Sequence, residues 1–240
     1  MKKSLLFILL TVMLIPVHAQ FQKDTFKTAG GELTISFIGH GTLMMEYNGK
    51  VIHIDPVSQF SDYAKLPKGD LVLVTHSHGD HLDPAAIEKI RKTGMEIVMA
   101  AVCQSKLPEG KILKNGESGT FAGISVEAVP AYNIKNERGP GQPFHPKGEG
   151  NGYVLSFGNF RVYVAGDSEN TPEMKALKDI DVAFLPMNLP YTMTPEMVAD
   201  AARSFKPKVL YPYHFGDTDT NQLMQLLKGE ITEVRIRNLK

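Results

Sequence analysis

Residues 74–84 read VTHSHGDHLDP and hold three of the chain's eight histidines together with two aspartates. Imidazole and carboxylate side chains form the ligand set of zinc and its divalent neighbours. A solvated turn needs only polar residues, whereas His76, His78, Asp80 and His81 crowd four metal-capable groups into six positions. Two further groups of the same type follow apolar runs: Asp167 ends RVYVAGD and His214 ends KVLYPYH. Taken singly, Asp167 reads as a turn aspartate and His214 as a hydrogen-bonded histidine. Three apolar runs that each end in a ligand type point instead to a metal site.

Those runs must be strands for the argument to hold, because rigid strand ends aim loop residues into one cleft. LTISFIG, TLMMEY and VIHIDP are short β-rich runs separated by glycine-containing turns. DLVLVTH is continuously apolar and predicts a buried strand. Asp83 then caps a helix with Pro84 at its first position, expected to run through AAIEKIRKTG to a glycine stop. EIVMAAV and ISVEAVP are further strands, and GYVLSFG with FRVYVAGD predicts a hairpin around Gly158-Asn159. Thr171-Pro172 and Thr194-Pro195 each start a helix, DVAFLP and KVLYPYH are strands, and TNQLMQLLKG is a closing helix. Two successive halves of this kind suggest two packed sheets with helices outside.

The N-terminus reads differently. Lys2 and Lys3 precede an apolar run from Leu5 to Val17, and VHAQ offers a small-residue cleavage point after Ala19. The expectation is a signal peptide over residues 1–19 and a single domain over residues 20–240, secreted or periplasmic, with no stable membrane span after cleavage. The segment removed carries two lysines and no acid, so 24 basic against 26 acidic residues leave a mature charge of −2. Such a balance argues against nucleic acid as a partner, which calls for a basic excess. A small-molecule substrate is expected, and the oligomeric state stays open. Cys103 is the only cysteine, so no internal disulfide exists, and it reads as a buried apolar residue rather than a nucleophile.

Between the halves, residues 131–152 carry five glycines and three prolines. A structureless stretch of that length inside a compact domain is uncommon and usually functional. Of the remaining histidines, His53 alternates with Ile52 and Ile54 and is expected to face solvent. His40 follows a strand and a glycine, which suits a cleft-lining position and a structural turn equally. Asp55 is expected to orient a metal-binding histidine.

THSHGDH, AGDS and a late histidine after a strand together resemble the metallo-β-lactamase superfamily, over nearly the whole mature chain. PAYN, HPKGEGNGYV and LPYTMTPEMVADA further resemble its branch of ascorbate-6-phosphate lactonase-like proteins. The resemblance implies an α/β fold, a four-layer αββα sandwich with a binuclear site between the sheets. It also implies that His76 and His78 hold the first metal, that Asp80, His81 and His214 hold the second, and that Asp167 bridges both. Many members place a third histidine for the first metal in a P-A-x-H pattern, where this chain has Asn133. His145 in the long loop is assigned to that role, because an amide oxygen is a weak zinc ligand.

Two divalent ions, zinc by preference with manganese or iron(II) as alternatives, would acidify a shared water toward pKa ~7 and so provide hydroxide for attack. The expected reaction is hydrolysis of an ester, lactone or phosphodiester, with Asp80 and Asp167 as proton carriers. No G-x-S-x-G elbow offers a protein nucleophile. A β-lactamase proper would place cysteine at Asp167, and the di-iron redox relatives would place glutamate at His78. A non-catalytic metal-binding protein with a degenerate first site is the remaining alternative, and Asn133 is its motive. Lys147 and Arg138 could meet a small phosphate in the loop. Intact-mass analysis of protein from the native cell envelope should give a chain beginning at Gln20; a mass that includes residues 1–19 would overturn the cleaved-signal expectation.

Overall fold

The computed structural model describes residues 21–240, so the expected signal segment lies outside the described residues. The first sheet takes seven strands in chain order: β1 Lys23–Thr28, β2 Gly31–Gly39, β3 Thr42–Tyr47, β4 Lys50–Ile54, β5 Leu71–Val74, β6 Glu96–Met99 and β7 Lys111–Ile112. The second sheet begins with β8 Ser118–Phe121 and β9 Ile124–Ala131. A small separate hairpin follows, β10 Glu137–Gly139 and β11 Gln142–Pro143. The second sheet then continues with β12 Gly150–Phe157, β13 Phe160–Val164, β14 Val182–Pro186, β15 Val209–Tyr213 and β16 Glu233–Val234, in the order β16-β15-β14-β13-β12-β9-β8.

Alternation along each strand sorts side chains between faces. In β5, Leu71 and Leu73 enter the core between the sheets, while Val72 and Val74 enter the core on the outer face. In β14, Val182 and Phe184 face the other sheet, and Ala183 and Leu185 face the helices. Helix α1 Pro84–Lys89 covers the first sheet; α2 Pro172–Lys175, α3 Pro195–Phe205 and α4 Thr220–Leu226 cover the second. Three apolar cores between four layers make the expected αββα sandwich. Among the described residues, no helix is long and apolar enough to cross a membrane.

Strand direction decides where function can sit. β2 and β4 are each antiparallel to β3, and β4, β5 and β6 run parallel. In the second sheet β9 and β13 are both antiparallel to β12, and β13, β14 and β15 run parallel. The C-terminal ends of β2, β4 and β5 therefore share one edge of the first sheet, and those of β9, β13, β14 and β15 share one edge of the second. Bonds across the sandwich join these two edges. His214 N donates to His40 O at 3.2 Å, Asn151 N donates to Thr75 O at 2.9 Å, and Tyr153 Oη donates to Val74 O at 2.8 Å.

Local expectations fare unevenly. The caps hold: Asp83 accepts from Ala85 N and Ala86 N, Thr171 from Met174 N, and Thr194 from Met197 N. The Gly158-Asn159 hairpin forms, with Phe157 opposite Phe160. Helix α1 stops at Lys89, short of Gly94, because Lys68 Nζ and Gly69 N take the carbonyls of Lys89 and Ile90. His53 does not face solvent. β4 is an interior strand whose outer face lies under the turn at Tyr63–Lys65, so His53 is buried and its Nε2–H donates to Pro67 O at 3.0 Å. Burial pushes its imidazole down to about 4, which keeps it neutral. Cys103 is buried under the first sheet, and burial pushes its thiol up to about 12, too high for a nucleophile at neutral pH.

Strand β1 and the C-terminal segment meet in one polar cluster. Asp24 on β1 accepts from Arg237 Nη2 at 2.7 and 2.9 Å and from Tyr211 Oη on β15, which ties the edge of the first sheet to the second. Burial raises its pKa, but Tyr211 and Arg237 outweigh that and hold the carboxyl below its usual value. Such a group stabilises the fold above the ordinary carboxylate range, and the contribution is lost as pH falls through its lowered value. Asp24→Ala should therefore cost about 1–3 kcal/mol in denaturant unfolding at neutral pH. The gap to the parent should close as the pH drops below about 4. An unchanged midpoint at neutral pH would show that the cluster holds nothing together.

Candidate metal centre

The shared edge carries the ligand types. His76 lies two residues past β5, Asp167 three residues past β13, and His214 directly after β15; His40 directly follows β2 and Asp55 directly follows β4. His40, Asp55 and His214 all adopt left-handed backbone, with φ of 53°, 46° and 47°. Residues other than glycine rarely accept this conformation, and it costs of order 1 kcal/mol or more each. Here it turns each side chain from its strand end into the cleft. Gly166 (φ +65°) performs the same turn before Asp167, and a Cβ there would lie 2.6 Å from Asn151 O. Gly41 lets the His81 ring approach, since a Cβ would stand 2.7 Å from its Cε1.

Two groups result, and within each all ligand atoms lie within 4.8 Å of one another. The first holds His76, His78, His145 and Asp167; the second holds His40, Asp80, His81 and His214. In the first, His78 Nδ1 is 3.0 Å from His76 Nε2 and 3.3 Å from His145 Nε2, and Asp167 Oδ2 is 3.3 Å from His145 Nε2. In the second, Asp80 Oδ2 is 3.3 Å from His40 Nε2, 3.7 Å from His214 Nε2 and 4.0 Å from His81 Nε2. Asp167 reaches this group too, with Oδ1 3.4 Å from His81 Nε2 and Oδ2 3.3 Å from His214 Nε2. All seven residues singled out in the sequence as ligands meet here, and His40 joins them.

Hydrogen bonds behind the ligands set which nitrogen faces inward. Asp55 is wholly buried and accepts from Thr75 N at 2.8 Å, Thr75 Oγ1 at 2.6 Å and His81 Nδ1 at 2.7 Å. With its hydroxyl proton given to Asp55, Thr75 Oγ1 accepts from His76 Nδ1 at 3.0 Å. One carboxylate thereby orients both His81 and His76, each with Nε2 free toward the centre. Asn133 does the same for His145, its Oδ1 accepting from His145 N at 2.7 Å and Nδ1 at 2.8 Å.

The long segment is accordingly not structureless. It contains the β10–β11 hairpin and is fastened at its start by Glu169, whose Oε1 accepts from Asn136 N at 2.7 Å and whose Oε2 accepts from Lys135 N at 3.0 Å. Glu169 and the clamping role of Asn133 escape sequence reading, because a lone carboxylate or amide carries no spacing signal.

The donor set fits a divalent cation. His81 Nε2, Asp167 Oδ1 and His214 Nε2 are buried without a hydrogen-bond partner, although groups of opposite charge type stand within 4 Å. Buried polar atoms are rarely left so. Burial disfavours charge on His81 and His214, but Asp167 outweighs it, raising both and taking His214 to about 10. Burial likewise favours neutral Asp167, yet the His214 and His81 imidazoles hold it well below the usual range. His76 and His78 are lowered, by burial first and by their histidine neighbours. Without metal, then, a proton on His214 stands against the Asp167 charge.

A cation must displace that proton. Because the folded His214 value lies above the ordinary 6.5, its proton is present at neutral pH and is lost only as the pH rises toward about 10. Zinc added to metal-free protein near pH ~7 should release at least about one proton per chain, and affinity should rise with pH through the weakly alkaline range. Calorimetry in buffers of different ionisation enthalpy measures the release; a heat independent of buffer would contradict this charge balance.

Comparison with known proteins agrees with the fold. Residues 34–214 match the β-lactamase superfamily domain. The UPF0173 metal-dependent hydrolase of Methanopyrus kandleri is 33% identical over 196 residues, 77% of this chain and 84% of that protein. A crystal structure from Parabacteroides distasonis ATCC 8503, provisionally named a metal-dependent hydrolase, is 53% identical with a TM-score of 0.88, covering 92% of this chain and 100% of that one. Igni18, a metallo hydrolase from Ignicoccus hospitalis, is 25% identical with a TM-score of 0.72, covering 86% of this chain and 95% of that one. With two sheets of the right topology, His and Asp groups placed to bind metal at their shared edge, and these matches along most of its length, the chain belongs to the metallo-β-lactamase superfamily and is one of its metal-dependent hydrolases.

Proposed function

We propose that this protein hydrolyses an ester, lactone or phosphodiester bond in a small exported-compartment substrate, using two divalent cations, zinc first among the candidates. The observation that carries the reading is Asp167, whose two carboxylate oxygens stand between two four-residue ligand groups. His76, His78, His145 and Asp167 would hold one cation, and Asp80, His81 and His214 the other with Asp167 shared. Cations so held supply Lewis acidity to a substrate oxygen and acidify water. An all nitrogen and oxygen donor set suits zinc, manganese or iron.

The chain's own groups divide the remaining work. Asp167 is almost wholly buried and stays ionised, so it serves as a fixed negative charge between the groups. Asp80 has a side chain 43% exposed to the cleft. Burial raises its pKa, but His214 and His40 override this and lower it strongly, which makes Asp80 a weak base. It can still relay a proton briefly to a leaving group, with His40 3.3 Å away on the more buried side of the pair. The degenerate-first-site reading rested on Asn133; His145 offers an imidazole at that place and Asn133 points it there, so the binuclear reading is favoured.

His76→Ala and His81→Ala should each lower metal content and melting temperature and cut kcat/KM by at least about 100-fold. Asp55→Asn should weaken metal binding about 10–100-fold while leaving all ligands present. Elemental analysis, thermal melting and esterase assays on one set of preparations check these. Full metal content and parental melting in both histidine variants would refute the assignment.

A further inference from the structure

Facing the ligand groups across the cleft are three polar side chains that the protein itself does not use. The cleft is about 430 Å³, and Arg138, Asn188 and Tyr191 line it together with His40, Asp80 and His214. Among the described residues, the Arg138 guanidinium has no carboxylate within salt-bridge reach and no hydrogen-bond acceptor. Among the described residues the Asn188 side-chain amide and the Tyr191 hydroxyl likewise find no hydrogen-bond partner. Arg138 is nonetheless held in place. Its guanidinium lies 5.0 Å from the centroid of the Phe144 ring, which in turn meets Tyr191 edge-on at 5.1 Å. Two residues earlier, Asn136 is fastened by Glu169 Oε1 and by its own Nδ2 bond to Thr192 O, both at 2.7 Å. A guanidinium that already rests against an aromatic ring loses less freedom on binding an anion than an unsupported one.

Charge completes the case. Among the described residues, the only acids lining the cleft are Asp80 and Asp167, and both belong to the ligand groups. The wall opposite therefore presents one unpaired positive charge flanked by an amide and a phenol, the donor set that takes a carboxylate or phosphate.

We infer that Arg138, with Asn188 and Tyr191 beside it, is a specificity site for an anionic group on the substrate, a carboxylate or a phosphate monoester, remote from the bond cleaved. This rests on the hydrolytic reading above and narrows its substrate class to small anionic esters or lactones.

The test uses full-length metal-loaded protein, parent, Arg138→Gln and Arg138→Lys, and three p-nitrophenyl esters: the neutral butyrate, the glutarate monoester and the 4-phosphonobutyrate. The parent should prefer the anionic esters by kcat/KM, and Arg138→Gln should lower the anionic-to-neutral ratio about 10-fold or more. Arg138→Lys should recover more of the phosphonate preference than of the carboxylate preference, because lysine offers charge without a bidentate fork. The ester with the larger loss in Arg138→Gln identifies the anion. Calorimetric titration with glutarate and with 3-phosphonopropionate reads binding without turnover, and Arg138→Gln should weaken the preferred anion by a similar factor. If no ester is cleaved but anion binding depends on Arg138, the hydrolytic reading fails and the anion site stands. If ratios and affinities in Arg138→Gln stay within about twofold of the parent, or neither anion binds the parent, the inference is overturned.

Discussion

The Asp55 carboxylate is the constraint on which the site depends. It is buried without exposure at the end of β4 and takes three hydrogen bonds, two from Thr75 and one from His81. A buried carboxylate is tolerable only when its lone pairs are satisfied, so Thr75 and His81 must stand where they do. Through the Thr75 hydroxyl the same charge reaches His76. Adjacent parallel strands β4 and β5 are thereby locked at their ends, and one ligand of each group acquires its tautomer from a single residue.

Around that anchor, direction and strain do the positioning. Strands whose C-terminal ends share an edge bring residues 40, 55, 76, 167 and 214 together although they are far apart in the chain. The strained left-handed turns at His40, Asp55 and His214 persist because bonds such as His214 N to His40 O hold the two sheet edges against each other. The cost of that strain and of gathering six histidines and two aspartates is offset by the apolar core between the sheets, where Leu71, Leu73, Val182 and Phe184 are buried.

The segment between the halves solves a different problem. Where the family pattern offers a histidine, this chain has Asn133, and the imidazole comes from His145 twelve residues on. Asn133 N donates to His145 O, and His145 N donates to Asn133 Oδ1, so one backbone bond and one side-chain bond clasp the two residues together. Glu169, two residues past Asp167, fastens the same segment at Lys135 and Asn136. The hairpin that overhangs the cleft is thus tied to the ligand-bearing turn, which couples the Arg138 wall of the cleft to the residues that would hold metal.

Much of this was legible in the chain itself. The order His76, His78, Asp80, His81 announces a metal site, the strand runs that precede His76, Asp167 and His214 announce one shared cleft, and the Asp83-Pro84, Thr171-Pro172 and Thr194-Pro195 caps announce helix starts, because each signal is local and has a fixed spacing. The assignment of Asp55 and of His145 needed the family resemblance or the exclusion of an amide ligand. What only the tertiary structure decided is non-local. His53 looks half-exposed by alternation, yet it is buried because an interior strand is covered on both faces. His40 stands within the second group because β2 and β15 end side by side. The edge strands β1, β7 and β16, the early stop of α1, and the grip of Asn133 and Glu169 all depend on partners distant in sequence, and no short pattern encodes a partner that folding alone brings near.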